Sequence, residues 1–268
     1  MIKDITIGQY FPGNSVIHRL DPRMKIILTV LFIAMLFSAG NFYALPIGVL
    51  FVVLSMFLSK IPIKIMLKSV KPILPLILFT TILNIFFVKG EGAPLISWSI
   101  IKIYYEGLRL TIFMIVRIIF LILGTSLLTY TTSPVALTDA LERLMSPLKA
   151  IKFPVHELSM MMTIALRFIP TLIEETDKIM SAQKARGADL DSGGLIHRVK
   201  ALVPILIPLF ISAFKRADEL ALAMECRCYR GGEGRTRLKQ LHTSTVDYAA
   251  LMVTLVFFAV IITVNIIV

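Results

Sequence analysis

Two arginines, Arg186 and Arg227, lie 41 residues apart in matching sequence surroundings. Small residues surround both of them, namely Ala182, Ala185 and Gly187 at the first site and Ala223, Cys226 and Cys228 at the second. A planar guanidinium suits a bidentate contact with a carboxylate, and small neighbours leave space for it to enter a groove. The repeat therefore predicts a protein that holds two copies of one partner.

A simpler interpretation is that each arginine only ends a helix. The carbonyl groups of a last helical turn carry partial negative charge, so a nearby cation is favoured by about 0.3–1 kcal/mol. This effect explains an arginine at each position, but it does not explain the small residues beside it. We therefore favour docking to a partner over simple capping.

The elements that position these arginines belong to a membrane protein. The chain has 268 residues, of which 57% are hydrophobic, and its mean hydropathy is +0.83. Residues 26–59, 72–88 and 248–268 carry no charge, and residues 110–130 carry only Arg117. These lengths predict an all-α polytopic fold with about five transmembrane helices, because about 20 apolar residues are needed for each crossing.

The sequence divides into three predicted domains. Residues 1–130 form an N-terminal membrane domain with four transmembrane helices, and its first two spans separate at residues 38–41, Ser-Ala-Gly-Asn. Residues 131–245 form a cytoplasmic domain of long helices that lie at the membrane surface, and residues 246–268 form a C-terminal transmembrane helix. Asp21 is predicted to cap the first span, with Pro22 at its first helical position.

Charge predicts the orientation of these domains. The net charge is +11, and 24 of the 28 lysines and arginines lie in residues 1–25, 60–71 and 131–245. Placing these segments inside the cell satisfies the positive-inside rule. The N-terminus is then cytoplasmic, the C-terminus is extracellular, and residues 38–44 and 89–107 form outer loops. The basic charge thus indicates membrane topology, and we expect no nucleic-acid partner.

Two long helices dominate the cytoplasmic domain. One is predicted from Pro154 to Arg186 and the next from Leu195 to about Tyr229, after a shorter helix from Pro134 to Leu148. The apolar stretches of the two long helices are short and flanked by charges, which favours amphipathic helices at the membrane over a transmembrane hairpin. Inside the second, Pro204 and Pro208 predict a kink and are hinge candidates.

Two other classes of function remain open. An intramembrane enzyme could use Glu174 and Glu175, but adjacent positions diverge by about 100° around a helix, and His156-Glu157 lacks the second histidine of a zinc protease motif. No phosphate-binding Gly-x-x-x-x-Gly-Lys-Ser/Thr motif occurs in the chain. We therefore expect no catalytic residue, no metal and no cofactor bound by this chain. An ion-driven secondary transporter is the other alternative, with Arg117 in its substrate path.

Four motifs carry a resemblance to a known family. They are Leu20-Asp21-Pro22-Arg23-Met24-Lys25, Arg167-Phe168-Ile169-Pro170, Ala182-Gln183-Lys184-Ala185-Arg186-Gly187, and the ten residues from Ala223 to Gly232. With these motifs the chain resembles, over nearly its whole length, the T component of energy-coupling factor transporters. This component is the membrane scaffold of a class of prokaryotic ABC-type importers of vitamins and metals.

The resemblance implies a function and a set of partners. Two ATPase subunits, which bind ATP and Mg²⁺, would dock at the two arginine sites, and a separate membrane-embedded S component would bind the substrate. The implied docking residues are Ala185, Arg186, Gly187, Cys226, Arg227 and Cys228, and the supporting motif residues are Asp21, Pro22, Arg23, Glu225 and Tyr229. The second site departs from the family's Ala-Arg-Gly pattern because cysteines flank its arginine. The implied location is the cell membrane of a prokaryote.

Overall fold

The computed structural model describes residues 10–88, 96–98, 101–188, 194–232 and 241–267. Residues 89–95 and 99–100 of the predicted outer loop lie outside this described part. The helices of the described part are α1 Val16–Arg19, α2 Pro22–Ser38, α3 Leu45–Ser59, α4 Ile63–Val70, α5 Leu74–Phe87, α6 Tyr105–Thr131, α7 Pro134–Leu144, α8 Val155–Ala185, α9 Leu195–Cys226 and α10 Thr245–Ile267. One short antiparallel pair, β1 Ile96–Trp98 and β2 Ile101–Ile103, accompanies them. The all-α fold is confirmed.

The chain forms two compact units. The bundle unit comprises Ile7–Ala140 and Lys239–Val268, and the long-helix unit comprises Met1–Thr6 and Leu141–Leu238. Helix α7 ends at Leu144, earlier than the predicted Leu148, because a 3-10 helix at Ser146–Ile151 follows. Pro147 at the start of that segment accounts for the change, since proline lacks the N–H that a continuing α-helix needs.

Three stretches of the described chain are long and apolar enough to cross a membrane, namely Ile63–Phe86, Tyr105–Thr131 and Thr245–Ile267. Helices α2 and α3 are also apolar but have 17 and 15 residues, at or below the lower limit of about 17 residues for a crossing. The break between α2 and α3 begins after Ser38, at the position that the sequence predicts. Neither α8 nor α9 is among these three stretches of the described chain.

Two helices of the bundle unit begin at one shared carboxylate. Asp247, which is 1% exposed, accepts the backbone N–H of Ser244 through Oδ2 at 2.7 Å and that of Asp21 through Oδ1 at 2.8 Å. The first bond caps α10, and the second joins α10 to the residue that caps α2. Asp21 accepts the N–H of Arg23 at 2.9 Å, with Pro22 in the first turn, so the predicted cap is confirmed.

Two basic side chains complete this junction. Arg23 forms an ion pair with Asp21 at 2.8 Å and donates to the carbonyl of Leu241 at 3.1 Å. Lys25 is 5% exposed and donates from Nζ to the carbonyls of His18 at 3.2 Å and Thr131 at 2.9 Å. The carbonyl of Thr131 lies at the end of α6, where it has no partner within its own helix. Lys25 therefore joins α1 and α6 to α2.

The opposite end of the bundle is joined in a similar way. Arg117 of α6 donates to the carbonyl of Ala39, and its guanidinium lies 4.4 Å from the ring centre of Phe113. Asn265 of α10 donates to the carbonyl of Ser38 and accepts the N–H of Gly40 at 3.2 Å. The loop between α2 and α3 is therefore held by side chains from two other helices.

Between these two ends the helices pack through a continuous apolar core. Phe32, Met35 and Leu36 of α2 lie at 3%, 0% and 0% exposure, within a cluster that includes residues of α3, α6 and α10. A Cβ atom at Gly124 of α6 would lie only 2.3 Å from the ring of Phe32. Glycine at this position allows α6 to approach α2 closely.

We predict that Asp247→Ala destabilises the bundle unit. The substitution leaves the buried N–H of Asp21 without an acceptor, and an unsatisfied buried donor costs about 1–3 kcal/mol. Asp247→Asn keeps one acceptor oxygen and should cost less. Thermal unfolding of the purified protein in detergent measures both, with the exposed Asp218→Ala as control. An unfolding temperature equal to that of Asp218→Ala would contradict the shared-carboxylate junction.

Candidate functional site

The first arginine site lies at the end of α8. Gly187 has φ +86°, a left-handed conformation that favours glycine. Its N–H donates to the carbonyl of Lys184 at 3.0 Å, and the N–H of Ala188 donates to the carbonyl of Gln183 at 3.0 Å. These two bonds form a Schellman motif, which pairs carbonyls that a helix end otherwise leaves free. Arg186 is the C-cap residue of this motif.

The second site, at the end of α9, has the same backbone hydrogen bonds. The N–H of Cys228 donates to the carbonyl of Glu225 at 2.8 Å, and the N–H of Tyr229 donates to that of Met224 at 3.0 Å. Arg227 is the C-cap residue, with φ −91° and ψ 12°, close to the −86° and 6° of Arg186. Cys228 has φ 54°, so it occupies the left-handed position that glycine holds at the first site.

Both sites are open to the surroundings. The six predicted docking residues are all exposed, namely Ala185, Arg186, Gly187, Cys226, Arg227 and Cys228. Among the described residues, and apart from its own chain neighbours, no atom lies within 4 Å of the position that a Cβ would take at Gly187. Both cysteines are free thiols. Each arginine is therefore an exposed cationic side chain at the end of a long helix, where a carboxylate of another molecule can reach it.

Helices α8 and α9 run antiparallel, so the two sites lie at opposite ends of the pair. Glu175 near the middle of α8 binds two residues of α9, accepting the hydroxyl of Ser212 and pairing with Arg216 at 3.0 Å. Nearer the end of α8, Gln183 contacts the first half of α9. Eleven residues separate Arg216 from Arg227, which is about 17 Å at 1.5 Å per residue.

The contact of Gln183 follows from the prolines of α9. Pro208 has no N–H, so the carbonyl of Pro204, four residues earlier, lacks its helical donor. Gln183 donates to this carbonyl from Nε2 at 3.3 Å. Helix α9 therefore continues through both hinge candidates, and α8 continues through Pro170. That Pro204 and Pro208 act as hinges stays a prediction.

On the other side of the Glu175 contact, a groove separates the two helices. Its volume is about 600 Å³. It is lined by Met161, Ile164, Ala165 and Phe168 of α8, and by Ala213, Ala217, Leu220, Ala221, Met224, Glu225 and Tyr229 in and just after α9. The half-buried Tyr229 thus lines the groove while its N–H completes the second arginine site, and Glu225 supplies a carbonyl to that site.

Comparison with known proteins identifies the family. The sequence profile of the family CbiQ, described as "Cobalt transport protein", matches residues 13–238. The chain belongs to this family. Curated relatives named "Energy-coupling factor transporter transmembrane protein EcfT" include those of Clostridium kluyveri, 57% identical over 96% of this chain and 95% of the relative, and Bacillus subtilis, 48% identical over 96% and 99%.

Membership of the CbiQ and EcfT family establishes the class of the protein. It is a membrane protein of energy-coupling factor transport, and the relatives are named as transmembrane proteins rather than as ATPases. The comparisons assign no residue, so the roles of the arginine sites and of the supporting motif stay predictions. Of that motif, Asp21, Pro22 and Arg23 lie in the bundle unit, while Glu225 and Tyr229 lie beside Arg227.

Several residues with clear structural roles were missed at the level of sequence. Asp247 carries no motif and stands 226 residues from its partner Asp21. The sequence suggests a role for Glu175 only in an intramembrane enzyme, whereas in the structure this carboxylate binds Ser212 and Arg216. In the described residues, no group of three potential ligands could hold a metal ion. The one sequence feature that points to the contact between Glu175 and Arg216 is their separation of 41 residues, which equals that of Arg186 and Arg227.

We predict that Cys228→Gly stabilises the end of α9. A left-handed conformation costs a residue with a Cβ about 1–2 kcal/mol, so glycine should increase local protection, and Gly187→Ala should reduce it at α8. Hydrogen exchange of the amides at 186–188 and 227–229 measures both effects. Cys226→Gly is the matched control, because it places glycine inside the helix, where it destabilises by about 1 kcal/mol. Equal effects of the two cysteine substitutions would contradict the prediction.

Proposed function

We propose that this chain is the scaffold that couples ATP hydrolysis by two ATPase subunits to reorientation of a membrane-embedded S component, which binds a vitamin or metal substrate. The observation that carries the proposal is the pair of exposed arginines with equivalent backbone geometry at opposite ends of antiparallel helices. Two equivalent sites on one chain suit two ATPase subunits related by a two-fold axis.

Each arginine site would dock one ATPase subunit. Arg186 and Arg227 would each enter a groove of the ATPase and contact a carboxylate, for which the planar guanidinium is well shaped. Ala185 and Gly187, with Cys226 and Cys228 at the second site, are small enough to let the ATPase surface approach the helix end. ATP and Mg²⁺ would be bound by the ATPase subunits alone.

The apolar surface of α9 would face the S component. Val203, Ile207, Phe210 and Phe214 are all exposed, and their spacing of three or four residues places them along one side of a helix. The rings of Phe210 and Phe214 stack at 6.2 Å. An exposed apolar strip of this kind suits contact with an apolar surface of a membrane-embedded partner. Pro204 and Pro208 lie along the same stretch and would let it bend.

Orientation follows from the charge distribution. With the N-terminus in the cytoplasm and the C-terminus outside, both arginine sites face the cytoplasm, where ATP is available. The alternative of a secondary transporter gains no support from Arg117, because this side chain donates to the carbonyl of Ala39 and lies over Phe113.

We predict that Arg186→Glu combined with Arg227→Glu abolishes co-purification of the ATPases while membrane insertion persists. Removing one side of a desolvated charge pair costs about 2–5 kcal/mol, and charge reversal adds repulsion. The stoichiometry of subunits in the purified complex measures the effect. Lys149→Glu with Lys152→Glu is the control, since it makes the same charge change at two exposed residues of the long-helix unit. A double arginine variant that still assembles and drives uptake would overturn the docking proposal.

Orientation has its own test. Cys226 and Cys228 are the only two cysteines of the sequence, and both are exposed beside Arg227. A membrane-impermeant maleimide should label them in inside-out vesicles and not in intact cells. Bound ATPase subunits should reduce the labelling, whereas Cys228→Ser with Cys226→Ser gives the background. Labelling from the outside of intact cells would refute the cytoplasmic placement.

A further inference from the structure

The 41-residue repeat extends beyond the arginine sites to the contact between α8 and α9. Glu175 and Arg216 are 41 residues apart and form an ion pair. Arg186 and Arg227 have the same separation. We call two residues of α8 and α9 corresponding when they are 41 positions apart. Glu175 and Arg216 are corresponding residues that also contact each other.

This coincidence locates a symmetry axis within the helix pair. In two antiparallel helices related by a local two-fold axis, the rotation exchanges corresponding positions. Corresponding residues can touch only where the axis passes between them. The axis therefore passes at Glu175 and Arg216, and each arginine site follows its axial residue by 11 positions, or about 17 Å along the helix.

The side chains at this axis form a polar contact that uses both oxygens of the carboxylate. Oε1 of Glu175 accepts the hydroxyl of Ser212, and Oε2 accepts Nη2 of Arg216 at 3.0 Å. The two side chains of the ion pair retain 22% and 36% exposure. The hydrogen bond from Ser212, followed by the charge of Arg216, lowers the pKa of Glu175. The carboxylate is therefore ionised at neutral pH, and the pair is lost only as the pH falls through that lowered pKa.

The neighbouring positions show that charge alone does not create the contact. Glu174 and Lys215 also correspond in the repeat and carry opposite charges, yet both are exposed. No ion pair joins them within the described residues. The two pairs are adjacent in sequence, but only the Glu175 and Arg216 pair faces across the helix interface.

We propose that Glu175, Arg216 and Ser212 form the positioning contact that fixes how α8 and α9 sit against each other, and thereby the relative position of the two docking arginines. The consequence of this contact for transport rests on the proposed function, because that function requires both arginines to reach their ATPase subunits. With arms of about 17 Å, a rotation of about 10° at the axis moves each arginine by about 3 Å. Such a shift exceeds the length tolerance of a bidentate charge contact.

The geometric part of the proposal can be tested on the full-length chain without any partner. Spin labels at Ser181→Cys and Leu222→Cys occupy corresponding exposed positions near the two sites, in a background where Cys226 and Cys228 are serine. Electron–electron double resonance then measures the distance between them. We expect Glu175→Arg and Arg216→Glu each to shift or broaden the distance distribution, and the exchange of both charges in one chain to restore it.

Glu174→Arg and Lys215→Glu are the matched controls, because they make equivalent charge changes at adjacent corresponding positions that form no ion pair. They should leave the distance distribution unchanged. Where Glu175→Arg lowers the yield of folded protein, Glu175→Gln removes the charge of the contact and Ser212→Ala removes its hydroxyl donor, each with little change in size. An unchanged distribution in all variants of the contact, or a charge exchange that fails to restore it, would overturn the proposal.

The functional part is measured in the complete complex reconstituted into liposomes. We expect single charge reversals at Glu175 or Arg216 to lower ATP-driven uptake at least tenfold, and the charge exchange to recover at least half of the wild-type rate. The controls at Glu174 and Lys215 should stay within twofold of it. Failure of the wild-type chain to bind ATPases would refute the proposed function, but it would not affect the test of the Glu175 contact by distance measurements. Normal uptake by both single reversals would refute the positioning role instead.

Discussion

Helix ends impose the constraint on which this structure depends. A helix leaves its first N–H groups and its last carbonyls without partners inside the helix, and a membrane offers no water to satisfy them. In the bundle unit, buried polar and charged side chains take this place. Asp247 serves the beginnings of α2 and α10, Lys25 serves the end of α6, and Arg117 and Asn265 serve the loop after α2. These polar bonds join α2 to α6 and to α10, in addition to the contacts of the apolar core.

The sequence predicts the contacts between residues that are close in the chain, but not those between residues that are far apart in it. Asp21 with Pro22 is a recognisable helix start, because the cap and its target lie two residues apart. Gly187 after Arg186 likewise indicates the end of α8. Helix α9, by contrast, ends at Cys226 rather than at about Tyr229 as the sequence predicts, because the Schellman bonds at Cys228 and Tyr229 end it earlier. Asp247 is different. Its role depends on a partner 226 residues away, and a single sequence contains no local pattern that reports such a contact.

The prolines of α9 show how a correct local rule can give an incomplete result. Pro204 and Pro208 predict a kink, since each removes a helical hydrogen bond. Helix α9 continues from Leu195 to Cys226 through both prolines, and Gln183 of α8 supplies a donor to the carbonyl that Pro208 leaves free. Compensation from a neighbouring helix is a tertiary effect, so it lies beyond what the spacing of prolines can indicate.

The antiparallel packing of α8 and α9 keeps the two arginine sites apart. Each arginine site uses the carboxyl end of a helix, and parallel helices would bring both ends, and both positive charges, together. Antiparallel packing separates them by the length of two 11-residue arms while keeping their surroundings alike. The 41-residue repeat lies in the long-helix unit. A local two-fold helix pair of this kind is the arrangement that the proposed pair of ATPase subunits would need.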